Sequence, residues 1–401
     1  MARRGPYRLR PVYEGSLDGR HVVFLSWRDT ANPEGGGAER YLEKMAEGLV
    51  ERGCTVTIFC AAHAAAPPEE TRGGIRFVRR GTKLSVYPAG MRALRRGDLD
   101  GPHGRTDLVV DVQNGLPFFS RMVTDVPVIV LIHHVHREQW PVVYPGLSGR
   151  IGWWIERRFA PRLYRREQYV AVSRATRDEM IVLGIGRDRI AVVHNGTDPY
   201  RAVDPGKSPD PVVAVVGRLV PHKQVEHAID AAVALQAELP TLRLHVVGSG
   251  WWEAELAAYV EKVGAGDVVV LEGHVTEEHK HEVYERAWVL ALPSLKEGWG
   301  LVIGEAGMHA TPAVAYRAAG GTQESIEDGH SGLLVDTQEE FTDALRRLLT
   351  DSELRRRLSS GALEVSHRFT WTQSQRSFAK VVSARLDGRI LQADDPGTTR
   401  A

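Results

Sequence analysis

Cysteine is nearly absent: Cys54 and Cys60 are the two among 401 residues, so no disulfide framework and no cysteine-rich metal site organises the chain. Both lie in the run Cys-Thr-Val-Thr-Ile-Phe-Cys. As a strand, that run holds them roughly 20 Å apart, beyond the roughly 7 Å that a disulfide can span. Long apolar runs are also missing, and with no stretch near 18 such residues a membrane-spanning helix is excluded. The start of the chain, with Arg3, Arg4, Arg8, Arg10 and two prolines, has no apolar core of signal-peptide length, so a cytoplasmic protein is expected. Net charge is absent in total but not in distribution. Residues 1–200 hold 30 Lys and Arg against 22 Asp and Glu, and residues 201–401 hold 21 against 29. The positive half is the candidate for a face turned to anionic lipid or an acidic substrate.

What is present is an ordinary globular composition, 43% apolar and 25% charged, in a chain long enough for two cores. After a basic tail over 1–19, short apolar runs follow at His21–Trp27, Cys54–Cys60, Ile75–Val78, Leu108–Val112, Val126–Ile132, Tyr169–Val172 and Ile190–Val193. They are mostly separated by helical patterns, such as Ala38 to Arg52. Continuous β-branched runs of this kind suit parallel strands covered on both faces, which predicts a doubly wound α/β domain over 20–196. The proline-rich stretch 197–211 reads as a linker. A second series, Val212–Val216, Leu242–Val247, Val268–Leu271, Val289–Leu292 and Ala313–Ala315, predicts another α/β domain over 212–370. Helical patterns continue past Leu333 to about Leu386, with 371–387 as a closing helix and 388–401 as a disordered tail.

The most informative stretch runs from Val289 to Pro312: an apolar strand, then Glu297-Gly298-Trp299-Gly300-Leu301, then a helix that Pro312 must end. Free N–H groups and the positive dipole end at such a junction suit an anion, and the glycines let it come close. Glu297 and Glu305, with seven residues between them, can accept hydrogen bonds from vicinal hydroxyls, which suggests a ligand carrying sugars on a diphosphate. Both can equally be ordinary acids at a helix start. The first strand of the second domain leads into Gly217-Arg218-Leu-Val-Pro-His-Lys223, where Arg218 and Lys223 supply cations for that diphosphate, or else form a surface pair.

In the first domain, Gly35-Gly36-Gly37 between a strand and a helix offers a phosphate or acceptor contact, or simply a tight turn. As a dinucleotide fingerprint it fails, because Arg40 stands at the third glycine position. His133, His134 and His136 follow a strand's carboxyl end, where open α/β sheets bind ligands. Adjacent strand residues face opposite ways and no acid or cysteine stands at ligand spacing, so a hydrogen bond from one histidine to a substrate oxygen is preferred over a metal, with local backbone pairing as the alternative. Between Trp153 and Arg166, aromatics mixed with arginine fit a surface resting on anionic headgroups. Pro161 interrupts a long amphipathic helix there, and core packing with a solvated face is the preferred expectation.

These residues together resemble the retaining glycosyltransferases of family 4, whose GT-B fold sets two Rossmann-like domains across a cleft. The resemblance spans nearly the whole chain and is carried by Glu297 and Glu305 in the E-x7-E pattern, with Gly217-Arg218, Lys223, Gly36-Gly37-Ala38-Glu39-Arg40, Val172-Ser173, His194-Asn195-Gly196-Thr197-Asp198, and Gly320-Gly321 with Glu324. It departs at Trp299, where phenylalanine is frequent, and at Ala310, where a glycine usually precedes Thr311-Pro312. The resemblance implies a sugar passed from a nucleoside-diphosphate sugar to an acceptor hydroxyl on a glycan, glycolipid or small metabolite. His133, Arg218, Lys223 and Glu297 would be catalytic. Gly37, Gly217, Gly298, Trp299, Gly300, Leu301 and Glu305 would hold the donor, and Gly36 and His134 would face the acceptor. No metal, no further cofactor and no nucleic-acid partner are expected; peripheral contact with an anionic inner membrane face is compatible. A sugar-nucleotide 2-epimerase of the same fold and a non-catalytic sugar-nucleotide-binding protein are the competing readings, and a nucleotide-dependent dehydrogenase is weaker.

Overall fold

A computed structural model describes residues 17–102, 104–200 and 206–392. Most of the expected basic tail, residues 201–205 of the linker and the last nine residues lie outside the described residues. In the first domain these form β1 (His21–Leu25), β2 (Thr55–Cys60), β3 (Glu69–Arg72), β4 (Ile75–Arg79), β5 (Leu108–Gln113), β6 (Val128–Ile132), β7 (Gln168–Ala171) and β8 (Ile190–Val192). The sheet order is β3-β4-β2-β1-β5-β6-β7-β8. Only β3 runs antiparallel, against β4. It has no apolar pattern and is exposed, so the sequence reading passes over it. Gly73 and Gly74, at φ 57° and 78°, make the two-residue turn that folds it back.

The second domain contains β9 (Val212–Val216), β10 (Arg243–Val247), β11 (Val269–Gly273), β12 (Val289–Leu292), β13 (Ala313–Tyr316) and β14 (Gly332–Val335). Its order is β11-β10-β9-β12-β13-β14, with every pairing parallel. β14 occupies residues near the start of the expected helical run. A run of four residues, Gly-Leu-Leu-Val, is too short for periodicity to tell strand from helix. Each sheet is buried on both faces. In the first domain Phe24, Tyr41 and Met45 pack on one side, and Phe59, Phe118 and Val130 on the other. Cys54 and Cys60 are buried and free.

The chain crosses between the domains twice, side by side: the Thr197 amide donates to the Phe369 carbonyl at 2.9 Å. Thr370 then caps the Trp371–Leu386 helix, exchanging hydrogen bonds with Gln373. This helix lies on the first domain. Phe378 stacks on Phe24 at 6.1 Å, Gln375 donates to the Lys44 carbonyl at 2.9 Å, and Arg385 pairs with Glu167 at 2.5 Å. The chain stays attached beyond Asp387, contrary to a disordered tail starting at 388. Leu391 and Gln168 exchange hydrogen bonds of 2.7 and 3.0 Å, a pairing of backbone with a buried amide that composition does not reveal.

Candidate active site

Strand order in the second sheet reverses between β9 and β12, which pair side by side. In an open parallel sheet the loops leaving such a pair diverge, one above and one below, and leave a crevice at the carboxyl edge. The β9 loop brings Gly217, Arg218 and Lys223 to that crevice, and the β12 loop brings Ser294 and Glu297. Gly217 has φ 150° and open space where a Cβ would stand. Lys223 ends a short 3-10 turn and meets Glu297 at 2.5 Å. Arg218 is solvent-accessible but walled by both domains, and among the described residues its guanidinium has neither a hydrogen-bond nor an ion-pair partner. Burial, with Arg28 nearby, holds it below its ordinary pKa against the pull of Glu39 and Glu297. Ser294 lines the same crevice, with its hydroxyl fully buried and unpartnered among the described residues. His222 is kept neutral, its pKa pushed down to about 4 by burial and by Lys223 and Arg218.

The loop after Glu297 is fixed by its backbone. The Glu297 amide donates to Ala319 at 2.8 Å, and its carbonyl accepts from Gly321 at 3.0 Å. Gly298 touches the opposite domain: a Cβ there would stand 2.3 Å from the His133 carbonyl oxygen. Gly300, at φ 87°, starts the Leu301–Met308 helix. Two expected donor residues are placed differently from the rest. The Trp299 indole is buried at the interdomain crossing, with ring centroids 4.9 Å from His194 and 4.8 Å from Phe369, so its ring is committed to packing there. Glu305 lies one turn into the helix with partners of its own, the Tyr284 hydroxyl at 3.0 Å and Lys280 at 3.3 Å. The two acids therefore flank the start of the Leu301–Met308 helix, Glu297 before it and Glu305 one turn in, each against a different cation.

From the first domain, Gly36 and Gly37 open the Gly37–Val50 helix and press on the second. A Cβ on Gly36 would stand 3.4 Å from Arg218 Nε, and one on Gly37 would stand 2.8 Å from Leu301. Arg40 spans the domains, pairing with Asp198 at 2.5 Å and Glu277 at 3.8 Å. His133 is buried, with its ring edge to Tyr41 at 5.3 Å and its Nε2 unpartnered among the described residues. Burial pushes its pKa down to about 4, so it is neutral at pH 7. His134 pairs with Gln139 at 3.0 Å, while His136 pairs with Asn114 at 2.7 Å and Glu156 at 3.3 Å. The His134 and His136 imidazoles thus have separate partners, and among the described residues no group of three metal-capable side chains gathers.

A clasp holds the faces together. Glu324 accepts from the Ala175 amide at 2.9 Å and meets His194 at 3.0 Å, and Lys296 pairs with Glu179. Against burial, which raises it, His194 and the amides of Arg174 and Ala175 hold the Glu324 carboxyl below its usual range. His222, Ser294, Tyr284 and Lys280 are further residues at the candidate site that the sequence reading did not single out, and Arg40 entered it without a role. His222 sits inside the Arg218 to Lys223 run and was within reach of it. The others depend on contacts between elements distant in sequence.

Two family models match the chain, Glycosyltransferase Family 4 over residues 35–201 and Glycosyl transferases group 1 over residues 198–365. A D-inositol 3-phosphate glycosyltransferase from Stackebrandtia nassauensis is 29% identical over 93% of this chain and 90% of its own length. Among solved structures, a sucrose-phosphate synthase from Thermosynechococcus elongatus superposes with TM-score 0.79 at 19% identity, covering 92% of this chain and 100% of that one. HepE from Anabaena, solved with UDP-glucose, superposes with TM-score 0.71 at 20% identity over 91% of this chain and 99% of its own. At those identities the two structures speak to the fold.

Proposed function

The chain belongs to glycosyltransferase family 4 and has the GT-B fold, and on that premise we propose that it moves a hexosyl group, with retention of configuration and without a metal, from a nucleoside-diphosphate sugar to an acceptor hydroxyl. What supports the reading is the Arg218 guanidinium beside Lys223, without a partner among the described residues, together with the buried Nε2 of neutral His133, likewise without a partner there, on the loop that Gly298 touches.

Bond cleavage at the anomeric carbon builds negative charge on the departing diphosphate. In this reading Arg218, Lys223 and the amides opening the Leu301–Met308 helix take up that charge, and cations already held in place lower the barrier because they need not reorganise. They supply what a divalent ion would otherwise supply. Glu305 is positioned to accept from ribose hydroxyls and Glu297 from the sugar, each while keeping its cation. His133 donates to a sugar hydroxyl near the reacting carbon, since a neutral imidazole carries one N–H. Retention follows if the acceptor attacks the face the diphosphate leaves, with a phosphate oxygen taking its proton. UDP-sugars are the first donors to test, given the UDP-glucose bound by HepE, and D-inositol 3-phosphate belongs in the acceptor panel.

The test is product analysis by mass spectrometry with UDP-hexoses and an acceptor panel, with chelator present, and NMR of the new anomeric centre. Arg218→Ala should lower kcat/KM by about 10²-fold or more. Wild-type turnover in that variant, an inverted product, or isomerised donor formed without acceptor would defeat the proposal.

A further inference from the structure

The segment between the His133 loop and β7 carries an exposed apolar surface that the donor crevice leaves unexplained. Helix Trp140–Val143 is followed by helix Leu147–Trp154, a π-helical turn Ile155–Phe159 and helix Ala160–Leu163. Gly149 and Gly152 set the orientation of the second helix. A Cβ at Gly152 would stand 2.2 Å from the Trp140 ring, and one at Gly149 2.2 Å from the Tyr144 carbonyl, so only glycine permits this contact. With that face pressed inward, the opposite face turns out. Leu147, Ile151 and Trp154, spaced four and three apart, form one stripe at 70%, 50% and 57% exposure, with Val142 and Val143 exposed on the preceding helix. The two tryptophans divide: Trp153 packs against the core, whereas Trp154 faces outward. Core packing therefore accounts for only part of this segment.

The charge around the stripe has one sign. Arg150, Arg157, Arg158, Arg162, Arg165 and Arg166 are all exposed, and the one acid between residues 140 and 166, Glu156, is buried. Glu156 is also committed, accepting from Trp140 Nε1 at 2.6 Å and from the His136 amide at 3.1 Å.

We infer that this stripe and its arginines form a docking surface for an anionic lipid bilayer, lying in the plane of the headgroups. Apolar side chains with an aromatic among them enter the acyl boundary, while arginine stems lie along it and their guanidinium ends reach lipid phosphates. Charge complementarity selects this occupant over a second copy of the chain, since self-association would set six arginines against six. Glu156 ties the docked segment to the His136 loop, so the first-domain edge of the crevice would be held near the headgroups. The inference stands on surface chemistry alone and survives if the sugar-transfer reading fails.

The test is co-sedimentation of the whole protein, without donor, with vesicles of phosphatidylcholine alone or mixed with phosphatidylglycerol. Wild type should bind the mixed vesicles, less so at high salt, with a blue shift of tryptophan emission. The triple variant Leu147→Ser, Ile151→Ser, Trp154→Ser should bind about tenfold or more weakly. Arg150→Glu with Arg157→Glu should lose the preference for anionic vesicles, with circular dichroism unchanged in both. No binding to mixed vesicles, or binding indifferent to these substitutions, overturns the inference. A concentration-dependent dimer that Ile151→Glu dissolves overturns it in favour of self-association.

Discussion

Gly298→Ala tests whether the contact between the two domain faces belongs to the working geometry. An alanine Cβ would sit 2.3 Å from the His133 carbonyl oxygen and 3.1 Å from its carbon. Both atoms are backbone, and no rotamer change relieves the clash. A comfortable carbon–oxygen contact is about 3.3 Å, so the Glu297 loop and the His133 loop must part by about 1 Å. A displacement of that size between catalytic groups costs about 10²-fold in rate, whereas overpacking at one interface atom costs about 1–3 kcal/mol of stability. Arg218 and Lys223 stand on the second domain alone and move with Glu297. Calorimetry should therefore show nucleoside-diphosphate binding changed by less than about tenfold while kcat for transfer falls by about 10²-fold. Undiminished kcat would mean that the faces do not meet this way during turnover, and the role given to His133 would fall with it.

Three further outcomes follow from the same geometry. Glu324→Ala removes the interdomain hydrogen bonds from His194 and from the amides of Arg174 and Ala175 and should favour the open arrangement by about 2 kcal/mol or more, seen as a larger radius of gyration in solution scattering. Because the Glu324 carboxyl lies below its ordinary range in the clasped form, the wild-type clasp should be complete above that range and be lost as pH falls through the lowered value; a radius unchanged by acid would refute this. His133, at about 4 when folded and 6.5 when unfolded, binds fewer protons in the native state, so its contribution rises with pH between those values. The stability lost on urea unfolding between pH 7 and pH 5 should be smaller in His133→Asn than in wild type by on the order of 2 kcal/mol, and an equal loss in both would refute it. Glu305→Ala should weaken nucleoside-diphosphate binding about tenfold while leaving binding of inorganic pyrophosphate unaltered, and equal losses for both ligands would contradict a ribose contact.

The two-domain α/β organisation was legible because parallel strands buried on both faces write themselves as short β-branched runs, as Val212–Val216 and Val128–Ile132 do. The crevice was legible wherever cations and glycines follow such a run directly, as at Gly217, Arg218 and Lys223. What escaped has no local signature. β3 is held by a Gly-Gly turn and not by apolar residues. The pairing of Glu305 with Lys280 and Tyr284 joins the helices on either side of β12. Trp299 reads as a donor contact from its place between two glycines, yet its ring is claimed by Phe369, seventy residues later. The mixed fate of Trp153 and Trp154 turned on two neighbouring glycines whose packing partner, Trp140, lies outside the amphipathic stretch itself.

The twin crossings at Thr197 and Phe369 have a mechanical consequence. Two straps bonded to each other at one place give the lobes a common hinge line, and a swing about it is the motion expected of them. A pair of probes across any part of the rim would then report the same angle, and a single distance would describe the whole excursion from ajar to shut.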